Sequence, residues 1–268
     1  MKKQLKKLAG SVLHHFAPFL SKAVDEGKFD GPHARLKRLI ADYRASLAAE
    51  NGDAKTLRNH LAQYWKSERG DEFYDAYPER FDEWFRGPHY EIVEALAGEL
   101  EKRPSIHRLI EVGCGDGKVL QHLAERFPQF NSATGIDLNE KIIERNREVY
   151  RDTSLQFESA DLHEFLEHYL GSGILLVSYG GVLEYLTEEE LKTLFSSFRN
   201  LASPVLLMLV EPISKDFDLE TETRSRPHGI ENSFSHHHRY LLEEAGWKIE
   251  FEKVQKLEHR WMLMIASA

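Results

Sequence analysis

The sequence predicts an α/β protein: a doubly wound parallel sheet preceded by an N-terminal helical extension. From residue 106 onward, short apolar runs typical of strands buried on both faces alternate with segments of helical periodicity. A glycine-rich turn joins the first apolar run to the first helical segment, and two alternating runs close the chain. At 268 residues, of which 41% are hydrophobic, the chain is long enough for one α/β domain with an appendage.

The glycine-rich turn is the most informative stretch of the chain. An apolar run over residues 109–112 precedes three glycines at alternate positions, and residues 119–127 then follow helical spacing. Glycine lets a ligand approach the main chain, and the free N–H groups of the following helix point toward the turn. A dinucleotide-binding turn would place its third glycine where this chain has Lys118. The third glycine is Gly117 instead, and an acid, Glu111, precedes the turn.

This E-x-G-x-G-x-G pattern resembles motif I of the class I S-adenosylmethionine-dependent methyltransferases. The resemblance extends over residues 106–268 and implies a seven-stranded, doubly wound Rossmann-like methyltransferase sheet that binds S-adenosylmethionine. It also implies that Gly113, Gly115 and Gly117 admit the methionine and ribose portions of the cofactor, and that Glu111 orients the loop. The alternative is an ordinary tight turn between a strand and a helix.

An acid, Asp137, ends the predicted second strand (residues 133–136), about twenty residues past the glycines. A carboxylate there accepts hydrogen bonds from both ribose hydroxyls, so Asp137 and its neighbour Leu138 are predicted to bind the cofactor. Dehydrogenases use such an acid in the same way. Asp137 therefore indicates a cofactor that contains a nucleoside, but it does not identify which one. The alternative is that Asp137 caps a helix predicted over residues 142–149.

The predicted third strand, residues 155–157, leads to Asp161 and Leu162. In the methyltransferase family an Asp followed by an apolar residue stands here and binds the adenine amino group. The resemblance therefore implies that Asp161 and Leu162 hold the adenine. The alternative is that Asp161 caps a helix over residues 163–170.

The fourth strand is an apolar run over residues 174–179 that opens into a second glycine turn. Because ligands of α/β sheets lie beyond the carboxyl ends of the strands, Tyr179 is predicted to border the cofactor site. The segment resembles motif IV of the family but lacks the Asp-Pro-Pro-Tyr or Asn-Pro-Pro-Tyr signature of base-modifying methyltransferases. That difference, with the net charge of −9, argues against a nucleic-acid substrate.

The remaining segments complete the predicted sheet. Thr187 and Glu190 form a capping box that opens a helix. Further strands are predicted at residues 205–210, 248–254 and 260–266. The resemblance implies that the last two form a closing pair with one strand inserted antiparallel. Residues 214–233 are predicted to be a long polar insertion, whose arginines either bind an anionic substrate or are solvated.

The last helix is predicted over residues 234–247, with Ser235 as its N-cap and Gly246 at its end. It opens with three consecutive histidines, of which His236 is the candidate general base toward the acceptor. The alternative is that these are polar helix-start residues without a catalytic role. Consecutive helical residues point in different directions, so no metal site is predicted.

Residues 1–63 are predicted to form the helical extension, which begins with an amphipathic helix over residues 1–20. Residues 1–47 contain ten Lys or Arg and four Asp or Glu, so they carry +6 and the rest of the chain carries −15. A basic amphipathic segment docks on an anionic membrane surface or an acidic partner, or packs on its own domain or on the second subunit of a homodimer.

Residues 64–105 are predicted to form an aromatic-rich lid and a lead-in helix ahead of the cofactor-binding core, residues 106–268. Charges are interleaved with eight aromatic side chains: Tyr64, Trp65, Phe73, Tyr74, Tyr77, Phe81, Trp84 and Phe85. These rings either cover the cofactor and acceptor or pack the extension on the core.

Together these features predict an S-adenosylmethionine-dependent methyltransferase that acts on an oxygen of a small-molecule or saccharide-like acceptor. The competing hypothesis is a non-catalytic cofactor-binding protein docked on a membrane or a partner. The single cysteine, Cys114, excludes an internal disulfide and is predicted to pack within the glycine turn. The sequence has neither a membrane-spanning apolar stretch nor a signal-cleavage pattern, so a cytoplasmic location is expected.

Overall fold

The structure is a computed structural model that describes residues 2–162, 164–165, 171–201, 204–229, 231–257 and 259–268. In chain order its strands are β1 (Arg108–Val112), β2 (Ser132–Asp137), β3 (Leu155–Ser159), β4 (Ile174–Tyr179), β5 (Val205–Ile213), β6 (Arg226–His228), β7 (Ser233–Ser235), β8 (Lys248–Lys256) and β9 (Arg260–Ser267). Strands β6 and β7 form a separate hairpin, and the other seven form one sheet.

The order across the sheet is β3-β2-β1-β4-β5-β9-β8. Strands β1 to β5 are parallel, whereas β9 is antiparallel to both of its neighbours, β5 and β8. The predicted seven-stranded sheet with one antiparallel insertion is therefore confirmed. Strand β4 lies at the centre and is buried along its whole length, as its continuous apolar sequence indicates.

Helices cover both faces of this sheet. On one face, α6 (Glu91–Glu101), α7 (Lys118–Arg126) and α8 (Glu140–Val149) bury their apolar sides against the strands. On the other face lie α9 (Glu188–Leu201) and α10 (His238–Glu244). The apolar stripes recur every three or four residues, which places them on the side of each helix that meets the sheet.

The N-terminal extension consists of α1 (Lys2–Phe16), α2 (Pro18–Asp25), α3 (Ala34–Glu50), α4 (Ala54–Trp65) and α5 (Glu68–Ala76), followed by a π-helical turn, Phe81–Phe85. The helix predicted over residues 1–20 is divided because Pro18 cannot donate the hydrogen bond that would continue α1. Helices α3 and α4 pack against Phe234, which joins the extension to the core.

Two of the capping predictions can be compared with the structure directly. The Thr187 and Glu190 box is confirmed, since the backbone N–H of each residue donates to the side chain of the other. Asp137 does not cap α8: Asn139 does, by accepting from two backbone N–H groups. The helix predicted over residues 163–170 lies largely outside the described residues.

The prediction for the last helix is wrong at its start. Phe234 and Ser235 belong to β7, and Ser235 Oγ accepts a hydrogen bond from the Ser214 N–H, 2.8 Å away, instead of capping a helix. The helix begins at His238, and His237 caps it by accepting from the Tyr240 N–H. Pairing of β7 with β6 holds this segment extended, which the sequence pattern of a helix start does not reveal.

Candidate functional site

A cavity of about 840 Å³ lies at the carboxyl ends of the parallel strands. The sheet wall, as we name it, lies at or just after the carboxyl ends of β1, β2, β3 and β4 and consists of residues 111–116, 136–138, 160–162 and 179–182. The helical wall faces it and consists of Arg58, Trp65, Phe73, Tyr74, Arg80, Trp84 and His89. The volume lies within the range of small-molecule sites.

The glycine turn passes directly beneath the helical wall. Gly115 has a φ of +49°, and a Cβ placed on it would lie 2.4 Å from the Tyr74 ring, so both conformation and space require glycine. Gly117 has a φ of +74° but packs against the rings of Tyr150 and Phe157 and is not among the cavity-lining residues. Of the three glycines, Gly113 and Gly115 therefore line the cavity. Gly117 is the N-cap of α7 and is not among the cavity-lining residues.

Asp137 is fixed at the end of β2 by the backbone. Its two carboxylate oxygens accept from the N–H of Gly115 at 3.0 Å and the N–H of Asn139 at 2.9 Å. Burial raises the pKa of Asp137, although these N–H groups oppose the shift. A carboxylate has about four acceptor positions, so Asp137 retains capacity for hydroxyl donors in the cavity, where Leu138 lies beside it.

Glu111 is almost completely buried at the cavity wall. Its Oε2 has no hydrogen-bond partner among the described residues. Burial, together with the charges of Asp116 and Asp137, raises the pKa of Glu111. Three carboxyl groups thus share the space around the glycine turn, and a positive charge bound there would relieve their repulsion.

Asp161 lines the cavity together with Leu162, but it also has a partner that the sequence did not indicate. Arg58 of α4 donates to Asp161 Oδ2 at 2.7 Å and to Glu190 Oε1 at 3.1 Å. The side chains of Arg58 and Asp161 are 13% and 18% exposed, so this ion pair is largely shielded from water. Arg58 therefore connects the helical wall to the sheet wall.

Glu211 of β5 fixes the turn after β4 through hydrogen bonds. This fully buried carboxylate accepts from Ser178 Oγ at 2.6 Å and from the N–H groups of Val182 and Leu183. Burial raises the pKa of Glu211 to about 8. Glu211 thereby fixes the backbone immediately after Tyr179.

Tyr179 lines the cavity and contacts His89 of the helical wall. Its Oη lies 3.0 Å from His89 Nδ1. His89 is buried, and burial lowers its pKa to about 4, so the imidazole is neutral near pH 7. The Nε2 atom of His89 has no hydrogen-bond partner within the described residues.

Two tryptophans complete this end of the cavity. The His89 ring lies 4.9 Å from the ring of Trp261 on β9 and 5.9 Å from that of Trp84. The indole Nε1–H of Trp261 is likewise buried without a partner in the described part of the chain. Buried polar atoms normally have hydrogen-bond partners, so two adjacent ones without partners indicate where a polar ligand group would bind.

The other aromatic residues of the helical wall form a cluster around Trp65, whose ring lies 5.4 Å from Phe73 and 5.3 Å from Tyr185. Arg80 lies over the Phe73 ring and donates to the Gly180 carbonyl oxygen at 2.7 Å. The predicted aromatic segment therefore both lines the cavity and packs the extension on the core, which unites the two alternatives.

His236, the candidate base, is not among the residues that line the cavity. It is fully buried, its Nδ1 lies 2.7 Å from Ser225 Oγ, and burial lowers its pKa to about 3. His236 directly follows β7 and lies in the interior, so the structure does not bring it to the cavity. Among the described residues no group of three or more His, Cys, Asp or Glu is arranged to hold a metal ion.

Cys114 lies within the glycine turn and is buried against Gly135. Burial and the surrounding carboxylates raise the pKa of the Cys114 thiol, so its environment disfavours the thiolate. The predicted packing role agrees with this position.

Comparisons with known proteins agree with this geometry. Residues 109–204 match the family model described as a methyltransferase domain. No match was found in a search of curated protein sequences.

Solved structures match over most of the chain. The magnesium protoporphyrin IX methyltransferase of Synechocystis PCC 6803, solved with bound SAM, is 17% identical over 78% of this chain and 96% of its own, with a TM-score of 0.53. A SAM-dependent methyltransferase of Leishmania major is 14% identical over 78% and 82%, with a TM-score of 0.52. One from Clostridium acetobutylicum is 12% identical over 72% and 98%, with a TM-score of 0.50.

At these identities the structural likeness establishes the fold, and the family model identifies the domain within it. The strand order, with β9 antiparallel between β5 and β8, agrees with that fold. Residues 109–204 therefore match a methyltransferase domain, and the chain has the class I, Rossmann-like fold of the solved S-adenosylmethionine-dependent methyltransferases to which it is similar.

Proposed function

We propose that this protein transfers the methyl group of S-adenosylmethionine to a small-molecule acceptor. The observation that carries the proposal is the arrangement of carboxyl groups around the glycine turn: Glu111, Asp116 and Asp137 all line one part of the cavity. S-adenosylmethionine has a sulfonium and an ammonium group, so such a site attracts it. The same site repels the pyrophosphate of a dinucleotide.

The residues of the sheet wall fit the parts of this cofactor. Asp137 would accept from the ribose hydroxyls, and Asp161 with Leu162 would hold the adenine. Gly113 and Gly115 would leave room for the methionine portion, beside Glu111. When bound, the cofactor supplies an electrophilic methyl group, and the chain's own task is to align the acceptor with it and to exclude water.

We place the acceptor in the part of the cavity lined by Tyr179, Trp84, His89 and Trp261. Flat aromatic walls suit a small aromatic or saccharide-like molecule, whose apolar faces pack on rings. A neutral imidazole can accept a hydrogen bond from a hydroxyl, and the Trp261 indole N–H can donate one. This pair favours an oxygen acceptor, which His89 would orient through Nε2.

The first experiment is calorimetric titration of the full chain with S-adenosylmethionine, S-adenosylhomocysteine and NAD. Binding of the two adenosyl ligands and not of NAD is the expected result. Binding of NAD alone would overturn the proposal, and failure to bind any of the three would contradict a functional cofactor site.

A second experiment addresses the acceptor end. The protein is incubated with S-adenosylmethionine and a panel of phenols, sugars, carboxylic acids and amines, and the products are identified by mass spectrometry. Methyl ethers or esters are expected, whereas methylamines alone would refute oxygen methylation. With the acceptor found, His89→Gln is expected to lower kcat/KM by about tenfold or more, while the Kd for the cofactor changes less than about twofold.

A further inference from the structure

Helix α1 packs against the protein through its least apolar side. Gly10 meets α3 so closely that a Cβ there would lie 2.1 Å from the Leu39 carbonyl oxygen and 2.7 Å from Tyr43 Cβ. On the same side, Lys7 forms an ion pair with Glu50 at 2.5 Å. The α1 backbone is therefore held directly against α3, and the opposite side of the helix faces away from the protein.

That opposite side carries the large apolar side chains. We call it the N-terminal apolar face, defined by Leu5, Leu8, Val12, Phe16 and Phe19. The five residues are spaced by three or four positions, so those on α1 form one stripe, which Phe19 at the start of α2 extends. Each is between 50% and 84% exposed. An amphipathic helix that packs on its own domain turns this stripe inward, whereas here it points outward.

Exposed basic residues lie on the same helical segment. Lys6 on α1, Lys22 on α2, Lys28 after α2 and Arg35 on α3 are all exposed, and Glu26 pairs with Lys22 and Lys28. The +6 charge of residues 1–47 contrasts with the −15 of the remaining residues. Positive charge is thus concentrated on the part of the molecule that exposes the apolar stripe.

We propose that the N-terminal apolar face docks on the surface of an anionic phospholipid bilayer. Leucine and phenylalanine side chains on one side of a helix, with lysines beside them, are the combination that lies in the membrane interface. The lysines would meet the negative headgroups, each adding attraction that fades within a Debye length. Among the described residues, none of the helices combines the length and apolar character of a membrane span.

The positive charge of the segment that carries the N-terminal apolar face favours an anionic bilayer over a second copy of the chain as its partner. A symmetric dimer through this face would bring two basic surfaces together, and like charges oppose such contact. The face is a single stripe of five side chains, whereas stable protein interfaces bury roughly 1,200–2,000 Å² in total, from about 20–30 residues a side. The bilayer needs only the stripe and the lysines.

The test is co-sedimentation of the full-length protein with vesicles of phosphatidylcholine alone and of phosphatidylcholine with about 30% phosphatidylserine. The wild type is expected to bind the anionic vesicles at least about tenfold more tightly, and added salt is expected to weaken that binding. The double variant Leu8→Ser, Phe16→Ser is expected to lose at least about tenfold in affinity for the anionic vesicles.

Val149→Ser serves as the matched control, because Val149 is 64% exposed on α8, away from the face. It is expected to bind vesicles as the wild type does, and circular dichroism establishes that each variant is folded. Absence of wild-type binding to anionic vesicles would overturn the proposal. So would undiminished binding by the folded double variant, or a wild-type dimer in light scattering that this variant converts to a monomer.

Discussion

The two walls of the cavity are built in different ways. The sheet wall takes its functional groups from the carboxyl ends of four adjacent strands, and hydrogen bonds to the backbone fix Asp137 there. Glu211, on the neighbouring strand β5, fixes the turn after β4 in the same way. The helical wall takes its groups from loops and helices that precede the sheet in the chain. Its polar contacts with the sheet wall include those of Arg58, Arg80 and His89.

The two walls meet different requirements of the site. The sheet wall supplies charges at fixed positions, which suits a cofactor that is the same in every turnover. The helical wall supplies aromatic surface and unpartnered polar atoms, which suits the recognition of one particular acceptor. Changes in the sheet wall are therefore expected to act on cofactor binding, and changes in the helical wall on stability or on the acceptor.

The largest expected effect is on the sheet wall. Asp137→Ala removes the carboxylate that we propose accepts from the ribose hydroxyls, and we expect the Kd for S-adenosylmethionine to rise by about 100-fold or more. Isothermal calorimetry measures this change. Asp152→Ala, at a highly exposed carboxylate, is the control and is expected to leave the Kd unchanged. A wild-type Kd for Asp137→Ala in a folded protein would refute the ribose assignment.

A smaller effect is expected where the two walls meet. Arg58→Ala leaves the shielded carboxylates of Asp161 and Glu190 without their cation, so the free energy of unfolding should fall by about 2 kcal/mol. Urea denaturation provides the measurement. Arg145→Ala breaks an exposed ion pair with Asp75 and should cost no more than about 0.5–1 kcal/mol. Equal losses in the two variants would show that Arg58 does not join the walls.

The third expected effect concerns how steeply the free energy of unfolding changes with pH. Because the pKa of Glu211 is raised from 4.5 to about 8 in the folded protein, the native state binds one more proton than the unfolded chain between these values. Stability should therefore fall as pH rises through that window, by up to about 1.4 kcal/mol per pH unit from this group. Glu211→Gln cannot titrate and should flatten the decline.

Urea unfolding across that pH window measures both slopes. Glu220→Gln, at an exposed position in the polar insertion, is the control and should keep the wild-type slope. Identical slopes for Glu211→Gln and the wild type would mean that Glu211 is ionised in the folded protein throughout the range.

The sequence predicts the sheet wall well because its signals are local. Strand, glycine turn and helix follow one another within twenty residues, Asp137 ends the next strand, and Asp161 follows β3 by two residues. Spacing alone does not give the role of each glycine. Gly117 belongs to the glycine pattern, but it packs against the rings of Tyr150 and Phe157. Only the three-dimensional arrangement separates a glycine that faces the ligand from one that supports the turn.

The sequence predicts the helical wall only as an aromatic segment, because the residues that this wall contacts are distant in the chain. Arg58 contacts a residue 103 positions later, and His89 one 90 positions later, and no periodic pattern links such pairs. The predicted helix start around His236 shows the reverse situation, in which a local signal is overridden. The neighbours of His236 resemble a helix start, but tertiary pairing of β6 with β7 overrides that local preference, and His236 is buried.

The place of Trp261 on β9 bears on how the protein is made. Synthesis proceeds from the N-terminus, so α4 and the π-helical turn leave the ribosome long before β9, which is inserted between β5 and β8. At about 5–20 residues per second, the helical wall waits roughly ten to forty seconds for the strand that completes it. During that interval Trp84 and His89 lack the ring of Trp261, so a chaperone that shields exposed aromatic surface is expected to associate with the nascent chain at this stage.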